Sequence, residues 1–279
     1  MAPARRTNGI GTLAVGDPRA RVHVAAVGFE VERVTEAVHR DRADRVYLLS
    51  RPDHDDASAF LSSVERRLRA LPWSPDVQIV RAEIWDLFAC LGAYRKIFAR
   101  ENRLDRRAPQ VVPLRVNVST GTKVTAIAGT LACMLWKGEP YYVRVSQAWY
   151  SRKTPRLQAV TDIVERIEPM GVYELRQPSP ELVEVLEALE RRGGSLRKFE
   201  LIRELGLDRP AGTHPSPLSP QAQHGRLRRR LEPLEERWGF VRTEPTGPRG
   251  RVHLTEQGRV ALALFVTPGG ADGSLNKRL

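Results

Sequence analysis

Three hydroxyls, a glycine and a lysine crowd into Asn117-Val118-Ser119-Thr120-Gly121-Thr122-Lys123, straight after an apolar run. Between a strand and a helix, such a row gathers free backbone N–H groups, hydroxyls and an ammonium at the positive end of a helix dipole. That chemistry suits an anion, phosphate first. A second unusual turn, Gly28-Phe29-Glu30, follows the compact apolar run Val22–Val27. Ligands of open α/β sheets sit beyond the carboxyl ends of the strands, where the strand order reverses. The two turns flank such a point if their strands are neighbours. For Ser119–Lys123 taken alone, an ordinary capped strand-to-helix turn is the alternative.

Neither turn has the spacing of a familiar nucleotide signature. There is no G-x-x-x-x-G-K-[ST], and a single glycine follows the first strand where G-x-G-x-x-G would need three. Nucleotide hydrolysis and nicotinamide chemistry are therefore disfavoured, and no cofactor is expected. No histidine lies in either turn to serve as a general base. His23, inside the first strand, and His39, near a helix end, read as core and surface groups. Asp53-His54-Asp55-Asp56 reads as a helix cap, because a metal site needs a second ligand cluster, so no metal is expected.

The other chemistry-bearing cluster is cationic. Arg226, Arg228, Arg229 and Arg230 fall on one helical stretch, Gln221–Trp238, while Arg242, Arg249 and Arg251 flank the turn Pro245–Gly250. The net charge is +12 and the pI near 10.3, which calls for a polyanionic partner, nucleic acid ahead of an anionic membrane. A solvated helix face explains one arginine run; two groups of arginines favour double-stranded DNA. Glu232, Glu235 and Glu236 repel phosphate, so only the N-terminal half of that helix is expected to face DNA. No apolar run has the length of a bilayer span, and no apolar segment follows Arg5-Arg6 to make a leader. No membrane partner is expected. Cys90 and Cys133 sit in apolar helical patterns outside any C-x-x-C pair and read as buried free thiols, which places the protein in the cytoplasm.

The elements that must hold these groups alternate. Strands at Val22–Val27, Arg45–Leu49, Val77–Ala82, Val111–Val118 and Pro140–Val145 are separated by amphipathic helices, the pattern of right-handed βαβ units. Ile163–Ile167 and Val172–Leu175 are expected as short added strands. Residues 1–20 read as a loose tail, 21–177 as an open Rossmann-like α/β domain with a mainly parallel sheet, 178–267 as an α+β winged helix-turn-helix, and 268–279 as a second tail. In the second domain a helix over Glu181–Arg192 leads to one capped by Ser195, then the arginine-rich helix, a hairpin and a closing helix from Thr255. In that fold the third helix enters the major groove and the wing touches backbone.

Val27-Gly28-Phe29-Glu30, Glu83-Ile84-Trp85-Asp86 and Asn117–Lys123 together resemble an archaeal and bacterial family that joins a CRISPR-associated Rossmann-fold (CARF) domain to a winged helix-turn-helix. The likeness continues through Ala128–Met134, Pro140–Val143 and Pro178–Leu186. The resemblance implies a homodimer whose paired turns bind a cyclic oligoadenylate on the two-fold axis. It places Asn117, Ser119, Thr120, Gly121, Thr122 and Lys123 along the ligand's phosphates and riboses, with Gly28, Phe29 and Glu30 as the opposite wall. Glu30 is better suited to a ribose hydroxyl or an adenine amine than to a phosphate. Some members cleave the ligand; a metal-independent ring nuclease using Ser119, Thr120 and Lys123 is the alternative to a ligand-responsive transcription regulator. Members of this branch are not all tied to CRISPR loci, so the effector stays open.

Overall fold

The computed structural model describes residues 13–52, 57–102, 112–151, 158–175, 177–208, 218–244, 247 and 250–265. The chain divides into two compact units, Met1–Leu175 and Arg176–Leu279.

In the first unit, β1 (Val22–Ala26), β2 (Arg45–Ser50), β3 (Asp76–Arg81), β4 (Leu114–Asn117) and β5 (Glu139–Ser151) are parallel, and β6 (Gln158–Pro169) returns antiparallel to β5. Across the sheet the order is β3-β2-β1-β4-β5-β6. β1 and β2 are buried throughout, which is why they read as near-continuous apolar runs. Helices α1 (Val31–Asp41) and α2 (Ser58–Arg69) bury Val34, Val38, Leu61, Val64 and Leu68 against Val46 and Leu48. Helices α3 (Leu87–Asn102) and α4 (Lys123–Trp136) pack on each other, with Tyr94 Oη donating to the Thr125 carbonyl at 3.3 Å. The first unit is the open, mainly parallel α/β fold.

The second unit runs α5 (Pro180–Arg191), β7 (Ser195–Arg197), α6 (Lys198–Glu204), α7 (Pro220–Glu232), β8 (Val241–Thr243), β9 (Arg251–Leu254) and α8 (Glu256–Phe265), with a sheet ordered β7-β9-β8. Its core is Leu182, Val185, Leu186 and Leu189 of α5 against Leu201, Leu227, Leu231, Val241 and Val252.

Several expectations need correction. Ile163–Ile167 belongs to one long strand, β6, paired with β5 over its length, and Val172–Leu175 forms no strand. Ser195 begins the short strand β7 and caps no helix; α6 starts at Lys198, where Glu200 accepts from the Arg197 N–H at 2.8 Å. The third helix ends at Glu232, because Pro233 has no N–H and opens the next turn into a π-helical one through Arg237. Within the expected tail, residues 13–20 are held in place: Arg45 donates to the Leu13 carbonyl, the Gly16 N–H reaches Glu101, and Ala20 is buried. Such side-chain-to-backbone bonds leave no period in a sequence. The Asp53–Asp56 group, Val111 and the tail after Phe265 lie outside the described residues.

At the amino ends of the central strands, His23 is fully buried. Its Nδ1 lies 3.0 Å from Tyr141 Oη and its Nε2 3.0 Å from Asp41 Oδ2, while Asp41 also engages Arg115. Burial pushes the imidazole down from 6.5 to about 3, and the neighbouring Arg115 and Arg21 charges add to this. Between those two values the unfolded chain binds a proton that the folded one refuses. Stability is therefore fully present above about pH 6.5 and falls as pH drops toward 3, by as much as roughly 5 kcal/mol. Denaturant midpoints measured across that window should show this loss, and His23→Gln should make it shallower. An identical slope in the variant would remove His23 as its source.

Candidate functional site

β1 and β4 are neighbours, with Ala25 opposite Asn117, so the turns leaving them emerge side by side. The chain moves outward from β1 through β2 to β3, then returns to β4 on the other side, which makes this the switch point of the sheet. The two turns meet backbone to backbone. A Cβ on Gly28 would stand 3.2 Å from Gly121 N and Cα, and 2.5 Å from Glu30 Oε2. Gly121 itself has φ +81°, and a Cβ there would stand 2.6 Å from Ala26 Cβ and 2.7 Å from Thr125 Oγ1. Gly121 requires glycine by close approach and by its backbone, while Gly28 is tight against the Gly121 backbone and meets only the end of the Glu30 side chain at shorter range.

Around this contact the polar groups separate into two sets. Asn117 is buried and its amide is spent inside the protein: Nδ2 donates to the Arg33 carbonyl at 3.0 Å, and Oδ1 accepts from Ser119 N at 2.9 Å and Ser119 Oγ at 2.6 Å. Asn117 and the Ser119 hydroxyl thus shape the turn through bonds within the protein. Thr122 caps α4. Its Oγ1 accepts from Thr125 N at 3.1 Å and donates to the Ile84 carbonyl at 3.0 Å, while Thr125 Oγ1 accepts from Thr122 N at 2.9 Å. That reciprocal cap ties the turn to the loop after β3.

The second set is open. Thr120 is 3% exposed, yet its hydroxyl finds no hydrogen-bond partner among the described residues. The N–H groups of Thr120, Gly121, Lys123 and Val124 are likewise unclaimed among the described residues, and the Lys123 side chain is exposed in the first turn of α4. A buried hydroxyl, four N–H donors and an ammonium at a helix start are the groups with which a protein can receive an anion. On the other wall, Phe29 is exposed and rests edge-on against Phe60, ring centroids 5.2 Å apart, and Glu30 holds its carboxylate over Gly28. Thr125 and Ile84 are the participants the sequence reading missed. The Thr122-x-x-Thr125 spacing was the available signal for the first; the second lies within the Glu83–Asp86 motif, whose contact with Thr122 no local pattern states. The sequence has two cysteines, Cys90 and Cys133. Both are buried and free, and burial, with the Asp86 and Glu83 charges, pushes Cys90 up to about 11 and raises Cys133 as well.

The arginines of the second unit divide in the same way. Arg228 is 80% exposed, with its Nε 3.7 Å from Glu232 one turn along; Arg229 and Arg242 are also exposed, and Arg226 is half-buried. Arg230 instead turns toward α5, with Glu184 at 3.4 Å and Glu181 at 3.7 Å. Arg251 donates to Ser195 Oγ at 3.0 Å and braces β7 on β9. These two were expected on the nucleic-acid face and have been drawn into the fold by acceptors remote in sequence. Arg249 lies outside the described residues. Lys198, unremarked in the sequence, donates to the Gly247 carbonyl at 3.0 Å and pins the hairpin turn to α6. A groove of about 420 Å³ between α7 and the hairpin is lined by Glu232, Glu235 and Glu236 beside Arg228 and His224.

The fold and these sites define an open α/β domain followed by a winged helix domain, and comparison with known proteins agrees. Residues 181–266 match the DUF6293 C-terminal winged helix domain, and residues 21–148 match the HFX_2341_N-like N-terminal family. An uncharacterized Methanocaldococcus jannaschii protein, MJ1513, is 32% identical over 133 residues, covering 45% of this chain and 38% of its own. Can2 from Sulfobacillus thermosulfidooxidans, solved with cyclic tetra-adenylate, aligns over 88% of this chain and 63% of that one at 12% identity and a TM-score of 0.37. Csm6 of Enterococcus italicus, bound to cyclic hexa-2'-fluoro-hexa-dAMP, aligns over 78% of this chain and 56% of that one at 13% identity and a TM-score of 0.38. The chain thus spans less than two thirds of the length of each of these relatives. Among the described residues, no helix is long and apolar enough to cross a membrane.

Proposed function

We propose that this chain is a ligand-responsive DNA-binding regulator. Its α/β domain takes a cyclic oligoadenylate or a related nucleotide as a homodimer, and its winged helix binds double-stranded DNA. The observation that carries the sensing half is the receptor at the switch point, above all the buried Thr120 hydroxyl with no internal partner. An unmet buried hydroxyl costs about 1–3 kcal/mol, a deficit that a bound phosphate or ribose oxygen relieves. The motif likeness of Gly28–Glu30 and Asn117–Lys123 to the CARF family supplies the cyclic form of the ligand.

Ring cleavage is the weaker reading. Ser119 donates its hydroxyl to Asn117, which leaves Thr120 and Lys123 to align and stabilise the reacting phosphate without a base. One experiment separates the two. Incubation with cyclic tetra-adenylate should return intact ligand and a changed DNA affinity; rapid linear products with no DNA binding would reverse the assignment. Lys123→Ala should weaken ligand binding at least about 10-fold through loss of a charge-assisted contact, and unchanged affinity would sink the receptor. Linkage is reciprocal, so DNA must shift ligand affinity by the same factor.

For the DNA half, Arg228→Ala, Arg229→Ala and Arg242→Ala should each weaken binding across sequences and lower the salt slope by about 1. Arg230→Ala and Arg251→Ala should lower the melting temperature and leave that slope in place. A slope lost with Arg230 and kept without Arg228 would put DNA on the wrong face.

A further inference from the structure

One large exposed side chain has no use in anion chemistry. Trp85 is 64% exposed in the turn joining β3 to α3. That turn is rigidly held. Ile84 is buried and its carbonyl accepts from Thr122 Oγ1 at 3.0 Å, Asp86 N donates to the Glu83 carbonyl at 3.2 Å, and Asp86 Oδ1 accepts from Ala89 N at 2.7 Å. Trp85 therefore follows directly in the chain the residue whose carbonyl fastens the cap of α4, the helix that opens at Lys123. An indole left in water on a fixed turn forgoes the burial that dominates aromatic energetics, and it offers a rigid face to a partner.

We infer that Trp85 is the stacking platform for a base of the nucleotide whose phosphate rests on the N-terminus of α4. The inference rests on the receptor reading above and narrows it. Donors alone accept any phosphate or sulfate, whereas donors next to an exposed indole select an anion that carries an aromatic ring. Base–aromatic stacking tolerates any base, so the platform sets the class, nucleotide over bare phosphate, and leaves the identity of the base to other groups. Phe88 and Ile127 are further exposed apolar side chains, 49% and 54%, on α3 and α4. A second copy of the chain covering such apolar side chains would claim the indole instead, and the test is built to detect it.

The full-length protein is titrated with cyclic tetra-adenylate and, as a base-free probe, with inorganic tripolyphosphate. Calorimetry and tryptophan emission are followed, and mass is measured by sedimentation. Trp85→Ala should weaken the cyclic ligand about 5- to 100-fold and leave tripolyphosphate binding unchanged. Trp85→Phe should restore most of the affinity while losing the emission change seen in the wild type. Equal affinity of Trp85→Ala and wild type for the cyclic ligand would overturn the platform with the receptor intact. So would a variant that sediments at half the wild-type mass, since the indole would then belong to self-association. Failure of the wild type to bind either probe would overturn the receptor itself, and the platform with it.

Discussion

Gly121→Ala should destabilise the first domain by roughly 2–5 kcal/mol, the sum of a left-handed backbone forced on an L-residue and an overpacked contact, and should abolish ligand binding in the fraction that still folds. The new methyl cannot be placed. It would stand 2.6 Å from the Ala26 side chain on β1 and 2.7 Å from Thr125 Oγ1 in the α4 cap, with φ at +81°. Neither neighbour can withdraw. Ala26 is locked in the central strand, and Thr125 closes the reciprocal cap with Thr122. Relief must therefore come from the turn, which carries the Thr120 hydroxyl and the free N–H groups out of register. Gly28→Ala is the control, because its methyl meets the mobile end of the Glu30 side chain at 2.5 Å and the Gly121 backbone at a more tolerable 3.2 Å. Urea midpoints should rank wild type above Gly28→Ala, and that above Gly121→Ala. If Gly121→Ala melted with the wild type, the description of the switch point would be wrong.

The alternation of strands and helices was legible because burial on both faces of a parallel sheet erases polar interruptions from strands such as β1. Neighbourhood across the sheet was not legible. That β1 pairs with β4 depends on where the third crossover lands, which no local pattern states. Which polar groups of the Asn117–Lys123 turn stay free was only partly legible. Four hydroxyls and amides looked available, but Asn117, Ser119 and Thr122 satisfy one another, Arg33, Ile84 and Thr125. Residues that cap and turn are the same types that bind phosphate, so composition alone cannot divide them. Arg230 and Arg251 show the same ambiguity in charge: their acceptors on α5 and at Ser195 lie 46 and 56 residues away. The long β5–β6 hairpin was missed because charged residues at Arg144, Arg166 and Glu168 break the apolar period. Arg144 on β5 and Arg166 on β6 both pair with Glu168 on β6, so these charges are accommodated at the exposed edge.

At the opposite end of β1 and β2 from the receptor, Glu101→Ala should cost about 3–5 kcal/mol, the range for removing one partner of a buried ion pair. Glu101 is completely buried. Its carboxylate accepts from Arg45 Nη1 at 2.8 and 2.9 Å, from Tyr47 Oη at 2.6 Å and from Gly16 N at 3.2 Å. Deleting it strands a guanidinium, a phenol and an amide in the interior. Arg45 retains Asp76 at 2.9 Å and the Leu13 carbonyl at 2.7 Å, so part of its charge stays compensated and the loss belongs in the lower half of that range. The pair itself contributes far less than its rupture costs, since both charges gave up water to form it. Replacing both, as Arg45→Met with Glu101→Leu, should therefore recover most of the stability lost by the single change. Urea midpoints at neutral pH decide this, and a double variant no better than Glu101→Ala would mean that the hydrogen bonds to Tyr47, Gly16 and Leu13 outweigh the charges. Residues 13–20 hang on the same two side chains, so protease cleavage there should rise in the single variant. Because Arg45 opens β2 while the receptor lies past the carboxyl ends of β1 and β4, ligand affinity per folded molecule should not change in either variant. A fall in affinity at full folding would show that the two ends of these strands are coupled.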